Sequence, residues 1–274
     1  MPNTEYVLSL SYGKDSLACL EAIALLGYPL DRIVHAEVWA TDTIPADLPP
    51  MVEFKKRADQ IILDRYGIEV EHICAVSGGR ERERERERER VSFEQVFYRK
   101  LYSNKYEREQ IYGFPMIKGA WCNSRLKVAA LNQANKSGNK NTVQYLGIAS
   151  DEPERIARHT KPNIILPLVD IGWDEQYCRQ WCEDNNLLSP IYTTATRGGC
   201  WFCHNQGVEQ LRLLRKSYPE FWKLMLKWDN DSPTSFKPGG RTVHDFDKRF
   251  QMEDDGILKA GDTRFRWKQV LPSS

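Results

Sequence analysis

Six polar or small residues stand between an apolar run and a helix-forming run near the start of the chain. Residues 11–16 read Ser-Tyr-Gly-Lys-Asp-Ser, after a mostly apolar run at 6–10 and before a run at 17–26 that stops at Gly27. This order predicts strand, loop and helix, and the backbone N–H groups at a helix N-terminus bind phosphate favourably. Gly13 permits close backbone approach, and Lys14 supplies a positive charge. We therefore predict a phosphate site with the ligand-contacting residues Ser11, Tyr12, Gly13, Lys14, Asp15 and Ser16.

Asp15 is the unexpected member of this loop, because its carboxylate and a bound phosphate would both be negatively charged. It indicates either a bound metal ion or a structural hydrogen bond. The Walker A spacing and the Gly-x-Gly-x-x-Gly motif are both absent from the sequence. A polar turn that only caps a helix is the structural alternative to a ligand site.

The first half of the chain alternates strand-like and helix-like segments that would position this loop. Strands are predicted at residues 6–10, 32–39, 68–74, 142–148 and 163–168, and a helix at 51–66 is predicted to end at Gly67. Such alternation predicts the α/β class: a Rossmann-like parallel sheet with helices on both faces. Ligands of these sheets lie at the carboxyl ends of the strands. Three groups of residues fall at those ends: the loop at 11–16, Asp42, and the block at 147–155.

The sequence predicts two regions. Residues 1–170 would form the nucleotide-binding α/β domain, and residues 171–274 a mainly helical region with a Cys-x-x-Cys motif. The low-complexity Arg-Glu run at 80–90 is interpreted as a solvated connector, with an arginine arm for nucleic acid as the alternative. From residue 91 onward a long helix is predicted, and residues 97–140 are basic enough to favour anion binding or a solvated helix face.

Two further groups carry reactive side chains. Cys122, Arg125 and Lys127 bring a thiol and two cations within two helical turns, and such cations suit phosphate or sulfate. Cys200 and Cys203 have metal-ligand spacing, but two thiolates do not complete a site. A third ligand is needed, and His204, Cys178 or Cys182 would serve as a fourth. Cys178 and Cys182 share one helix face, however, and suit buried core thiols as well. A full thiolate set would hold an iron–sulfur cluster or zinc; a redox dithiol and plain packing are the alternatives.

Four blocks of the sequence resemble the PP-loop ATP pyrophosphatases, and within them the PAPS reductase-like family. They are the loop at 11–16, close to Ser-Gly-Gly-x-Asp-Ser with Tyr12 replacing one glycine, and the segments 118–127, 147–155 and 196–204. The resemblance covers most of the chain and implies an adenine nucleotide alpha hydrolase-like fold. In true PAPS reductases the loop is degenerate and a catalytic cysteine stands near the C-terminus. Here the loop keeps Lys14 and Asp15, and residues 269–274 contain no cysteine.

The resemblance implies an ATP-dependent enzyme that cleaves ATP between the α- and β-phosphates and adenylates an acceptor, coupled to sulfur transfer. Lys14 would stabilise phosphate charge, and Asp15 or Asp42 would organise Mg²⁺. Cys122 would be the third metal ligand beside Cys200 and Cys203. The remaining implied site residues, which hold the nucleotide, the acceptor or the leaving pyrophosphate, are Arg125, Lys127, Gly147, Asp151 and Arg155.

Composition bounds these hypotheses. Net charge is +1, no apolar stretch reaches the length of a membrane span, and the seven cysteines, an odd number, follow no secretion signal. We therefore expect a cytoplasmic enzyme with reduced thiols and no membrane partner. The rival hypotheses are a sulfonucleotide (APS or PAPS) reductase and a non-catalytic nucleotide or nucleic-acid binding module of a modification or defence system. The sequence leaves open whether the acceptor is a small molecule, tRNA or DNA, and whether the protein is a homodimer.

Overall fold

The computed structural model describes residues 4–77, 89–101, 110–115, 120–135, 141–193, 198–262 and 265–267. Most of the Arg-Glu run, the tail at 268–274 and parts of the 118–127 and 196–204 blocks lie outside these residues. The chain forms two compact units: the first comprises residues 1–92 and 123–200, and the second comprises residues 93–122 and 201–274. This division differs from the single boundary predicted at residue 170, because the chain crosses between the units three times.

The first unit is built on a parallel sheet. Its strands are β1 (Thr4–Ser9), β2 (Arg32–Glu37), β3 (Val70–Cys74), β6 (Asn141–Tyr145) and β7 (Ile164–Ile165), and β4 and β5 belong to the second unit. The spatial order is β3-β2-β1-β6-β7, with every neighbouring pair parallel. All five strands predicted from the sequence are present, so the α/β class is confirmed.

Helices cover both faces of this sheet. The helices of this unit are α1 (Lys14–Leu25), α2 (Pro49–Tyr66), α4 (Ala129–Asn135), α5 (Pro153–His159), α6 (Pro167–Ile171) and α7 (Glu175–Asp184). Successive strand residues point to opposite faces. Leu8 and Ile33 belong to a buried apolar cluster with α1, α2, α6 and α7, whereas their neighbours Val7 and Val34 are buried on the other side. A π-helical turn (Asn123–Val128) packs on β2, and α4 packs on β2 and β3.

Two helix ends show why the sequence folds this way. Gly67 ends α2 with φ +69°, a left-handed conformation that glycine adopts at no steric cost, as predicted. Asp174 begins α7, because its carboxylate accepts a hydrogen bond from the backbone N–H of Tyr177 at 2.7 Å. Helix α7 packs on α1 through buried Cys178 and Cys182, which is why it belongs to the first unit.

The second unit is mainly helical around an aromatic core. The long helix predicted from residue 91 is wrong: α3 (Phe93–Phe97) is short, and β4 (Lys100–Leu101) then pairs antiparallel with β5 (Gln110–Ile111). Three longer helices follow, with buried Trp222, Met225 and Trp228 on the second of them. They are α8 (Val208–Ser217), α9 (Pro219–Asp231) and α10 (Val243–Asp254). Among the described helices of both units, none is long and apolar enough to cross a membrane.

Candidate functional site

The predicted loop lies where the strand order of the sheet reverses. From β1 the chain proceeds outward to β2 and β3 on one side, and later to β6 and β7 on the other. Residues 11–16 follow β1 and residues 147–155 follow β6, so both blocks lie at the carboxyl ends of the two strands that flank the reversal. In open parallel sheets this crevice is the usual ligand site.

The two blocks are in direct contact through Gly147. A Cβ at this position would stand 2.7 Å from the carbonyl oxygen of Asp15 and 2.7 Å from the Cα of Ser16. Both are backbone atoms, which cannot turn away as a side chain can. Gly147 therefore serves the site by allowing close packing under the start of α1, and no side chain is needed there.

Hydroxyl groups close the loop on itself. The Ser16 hydroxyl donates to the carbonyl of Gly13 at 3.0 Å and accepts from the backbone N–H of Ser11 at 3.2 Å. Ser11 Oγ lies 3.0 Å from Ser16 Oγ. Ser16 is buried and holds the shape of the loop from below, whereas Ser11 and Gly13 line the cavity above it.

A cavity of about 690 Å³ opens over the loop, a volume typical of small-molecule and cofactor sites. Its walls combine residues from the loop after β1, the π-helical turn, the 147–155 block and the segment after α7. The sequence-predicted residues that line it are Ser11, Tyr12, Gly13, Lys14, Asp15, Lys127, Arg155 and Cys200. The sequence-predicted residues of the first unit that do not line it are Ser16, Asp42, Arg125, Gly147, Asp151, Cys178 and Cys182.

Three carboxylates converge beside Lys14 in this cavity. One oxygen each from Asp15, Glu152 and Glu175 lies within 4.8 Å of the others. Lys14 Nζ lies 2.7 Å from Asp15 and 3.5 Å from Glu175, and Arg155 donates to Glu152 at 2.6 Å. Burial raises the pKa of Asp15, and the nearby carboxylates Glu175 and Glu152 add to this rise. Oxygen donors of this kind are the ligands that Mg²⁺ prefers, so the residues present fit that ion.

Lys14 is held as a cation in this arrangement. Burial alone would lower its pKa, but the hydrogen bond and charge of Asp15, with the charge of Glu175, raise the pKa above the ordinary value. A phosphate would therefore meet a fully protonated ammonium at neutral pH.

Two aspartates predicted as site residues, Asp42 and Asp151, lie outside the cavity lining and accept hydrogen bonds from other parts of the chain. Asp151 accepts from the backbone N–H of Glu175 at 3.1 Å, and so fixes the start of α7. The Asp42 carboxylate accepts from the Ser92 hydroxyl at 3.1 Å and lies outside the cavity lining. Glu152 and Glu175, which were not predicted from the sequence, line the cavity beside Asp15. The sequence signal for Glu152 is its place inside the 147–155 block.

Tyr12 stands where the Ser-Gly-Gly-x-Asp-Ser pattern has a glycine, and its surroundings show how the larger residue is accommodated. Its φ is +56°, in the left-handed region that favours glycine, yet its side chain is buried. The hydroxyl donates to Asp59 and lies 3.1 Å from His72 Nε2. Burial and the hydrogen bond to Asp59 raise the pKa of Tyr12, so the phenol stays neutral. Burial of the ring and the Asp59 hydrogen bond offset the backbone strain of about 1–2 kcal/mol.

A second buried network, missed by sequence reasoning, also lines this cavity. His35 Nδ1 donates to the carbonyl of Leu10 at 2.8 Å, and Nε2 accepts from Lys55 Nζ at 2.8 Å. Burial and the charge of Lys55 lower the pKa of His35 to about 3, which keeps the ring neutral. Lys55 also donates to Asp47, so a buried ammonium is fixed in the cavity wall.

The cysteines fall into two groups. Cys178 and Cys182 are fully buried, and burial raises the pKa of each to about 12. The Cys182 thiol donates to the carbonyl of Lys14 at 3.3 Å, so these residues suit packing under the loop. Cys200 is half-buried and lines the cavity. Its predicted co-ligands Cys122, Cys203 and His204 belong to the second unit, and the metal-ligand set therefore stays a prediction.

Comparison of the sequence with protein-family models and with curated proteins gives no match in either case. The resemblance to the PP-loop and PAPS reductase-like families therefore depends on the four quoted blocks and stays a prediction.

Proposed function

We propose that the protein is a PAPS reductase-like, adenine nucleotide alpha hydrolase-like enzyme that binds ATP with Mg²⁺ and transfers the adenylyl group to an acceptor. One observation carries this proposal. The loop after β1 shares a single cavity with three carboxylates and with the cations Lys14, Lys127 and Arg155. Clustered cations suit a polyphosphate, and clustered carboxylates suit its metal ion.

The triphosphate would lie along the loop, with its charge met by Lys14. Asp15, Glu152 and Glu175 would hold Mg²⁺, which neutralises negative charge on the phosphates. Lys14 now pairs with Asp15 and Glu175, so it would exchange a carboxylate for a phosphate oxygen when the nucleotide binds.

The chemical step would be an in-line displacement at the α-phosphorus. An oxygen of the acceptor forms the new bond, the bond from the α-phosphorus to the bridging oxygen of the β-phosphate breaks, and pyrophosphate leaves. Catalysis of this kind works by positioning and by charge neutralisation. Arg155 and Lys127, both in the cavity wall, would hold the acceptor or the leaving pyrophosphate.

Sulfur chemistry is the finer part of the proposal. Cys200 lines the same cavity, which supports a role for its sulfur in the proposed reaction. Cys122, Cys200 and Cys203 would serve either as ligands of an iron–sulfur cluster or zinc or as sulfur carriers. In the transfer step, sulfide-level sulfur would form the new bond to the adenylated acceptor, the bond to the adenylyl oxygen would break, and AMP would leave.

Cys200 in the cavity also favours a second candidate, a sulfonucleotide reductase. In that reaction a cysteine thiolate attacks the sulfur of APS or PAPS, the S–O bond to the nucleotide phosphate breaks, and AMP or its 3′-phosphorylated form leaves. Reduced thioredoxin then supplies the electrons that release sulfite.

ATP binding by calorimetry, with Mg²⁺ and with EDTA, tests the first step. Pyrophosphate release against small molecules, tRNA and DNA tests the second. We expect Lys14→Ala and Asp15→Asn to lower turnover by roughly 10²–10³-fold, whereas the exposed Lys161→Ala serves as a charge-matched control without effect. Full turnover in both loop variants would contradict the assignment. Sulfite release from APS or PAPS with reduced thioredoxin, without pyrophosphate release, would favour the reductase.

A further inference from the structure

Tyr192 brings a third hydroxyl to the loop, from a distant part of the chain. It lies in a single 3₁₀ turn (Pro190–Thr193) after α7. Its oxygen accepts a hydrogen bond from the backbone N–H of Lys14 at 3.1 Å. A Cβ on Gly13 would stand 3.4 Å from this oxygen and 3.4 Å from Ser11 Oγ, so glycine leaves room between the two hydroxyls.

The hydroxyls of Ser11, Ser16 and Tyr192 differ in which atom, if any, accepts their hydrogen bond. Ser16 donates to the carbonyl of Gly13, which leaves Ser11 as the donor in the 3.0 Å contact between the two serines. Both serine protons are therefore used inside the loop. The Tyr192 oxygen receives the N–H of Lys14, and its own proton has no acceptor among the residues that the structure describes.

The phenol is suited to act as a neutral donor. Burial raises the pKa of Tyr192, so the proton stays on the oxygen at neutral pH. Tyr192 lines the cavity together with Lys14 and Asp15. The turn that carries Tyr192 is held in place by two contacts. The backbone N–H of Tyr192 donates to the carbonyl of Ser189 at 3.1 Å, and the buried Ser189 hydroxyl contacts Met51 Sδ at 3.2 Å.

We propose that Tyr192 is a phosphate-binding residue of this site, whose hydroxyl accepts the Lys14 N–H and donates its proton to an anionic oxygen of the bound nucleotide. The proposal builds on the proposed function, since it assigns a new ligand to the same site. Lys14 N marks the N-terminus of α1, where negative charge is stabilised, so the acceptor beside it is a phosphate oxygen and not the base. An O–H donor to an ionised oxygen makes a short, strong hydrogen bond.

The test compares Tyr192→Phe with the wild type and with Tyr177→Phe, whose ring is on the surface. Dissociation constants are measured by calorimetry for Mg-ATP, inorganic pyrophosphate and adenosine. We expect Tyr192→Phe to bind Mg-ATP and pyrophosphate roughly 10- to 100-fold more weakly, with adenosine binding unchanged. Tyr177→Phe should behave as the wild type does.

Equal or tighter Mg-ATP binding by Tyr192→Phe would overturn the proposal. A parallel loss of ATP and adenosine binding would overturn it too, because that result indicates a structural role. Thermal unfolding followed by circular dichroism confirms that the variant is folded, and pyrophosphate displacement of a fluorescent nucleotide repeats the comparison without calorimetry. A wild-type protein that binds no ATP would contradict the proposed function itself, and this proposal with it.

Discussion

Replacing Gly147 by alanine tests whether the 147–155 block positions the loop. The new Cβ would lie 2.7 Å from Asp15 O and Ser16 Cα, whereas ordinary contacts begin at 3.4 Å. Something must therefore shift, and the atoms met are backbone atoms, so the two blocks must move apart. Inserting a methyl group into a packed site costs about 1–3 kcal/mol of unfolding free energy.

The same displacement should affect function more strongly than stability. Asp15 is both a predicted Mg²⁺ ligand and the partner of Lys14. A misplacement of about 1 Å at a reacting group can cost roughly 100-fold in rate. We therefore expect Gly147→Ala to lose about 10- to 100-fold in pyrophosphate release and to bind Mg-ATP more weakly.

Gly199→Ala is the matched control. Gly199 also lines the cavity, but a Cβ there meets no atom within 4 Å and φ is not positive. Urea unfolding gives the stability of both variants, and calorimetry gives their affinity for Mg-ATP. If Gly147→Ala unfolds at the wild-type urea concentration and binds Mg-ATP normally, the close packing of the two blocks has no energetic importance.

Two further predictions concern His72 and the cysteines. Hydrogen bonds to Asp59 and Glu37 raise the pKa of His72 from 6.5 to about 9. Its stabilising effect should be complete below pH 6.5 and lost as the pH rises through 9. That pKa shift corresponds to about 3 kcal/mol of unfolding free energy, which partial exposure of His72 reduces to about 1–2 kcal/mol. The urea midpoint of the wild type should fall between pH 6.5 and pH 9, whereas that of His72→Gln should not. After anaerobic purification, Cys200→Ala should contain less iron or zinc than the wild type, whereas Cys178→Ala, a core thiol, should not; equal metal content in Cys200→Ala would contradict a thiolate site there.

The sheet could be predicted from the sequence because each strand is a short apolar run that is followed by turn-forming or polar residues. Gly27 and Gly67 stop the two helices that follow the loop and β2, and their positive φ values agree with that prediction. The loop at 11–16 could be assigned to a strand end for the same reason. These are local signals, and local geometry decides them.

The unit boundary and half of the site could not be predicted, because both depend on contacts distant in sequence. Cys178 and Cys182 show that one face of α7 is apolar, but not that this face packs on α1. Glu175 and Tyr192 reach the loop from more than 150 residues away. Neither carries a local motif, and only the folded chain shows that both contact Lys14.

The pairing of charges in the cavity gives a physical reason for nucleotide and metal to bind together. Lys14 pairs with Asp15 and Glu175, and Arg155 pairs with Glu152, so two cations of the cavity wall are already bound to carboxylates. A divalent ion bound by the three carboxylates would release Lys14 and Arg155 to the phosphates. ATP alone would instead meet carboxylates and be repelled. We therefore expect ATP binding to depend on Mg²⁺, and equal affinity in EDTA would mean that these carboxylates serve only to hold the two cations.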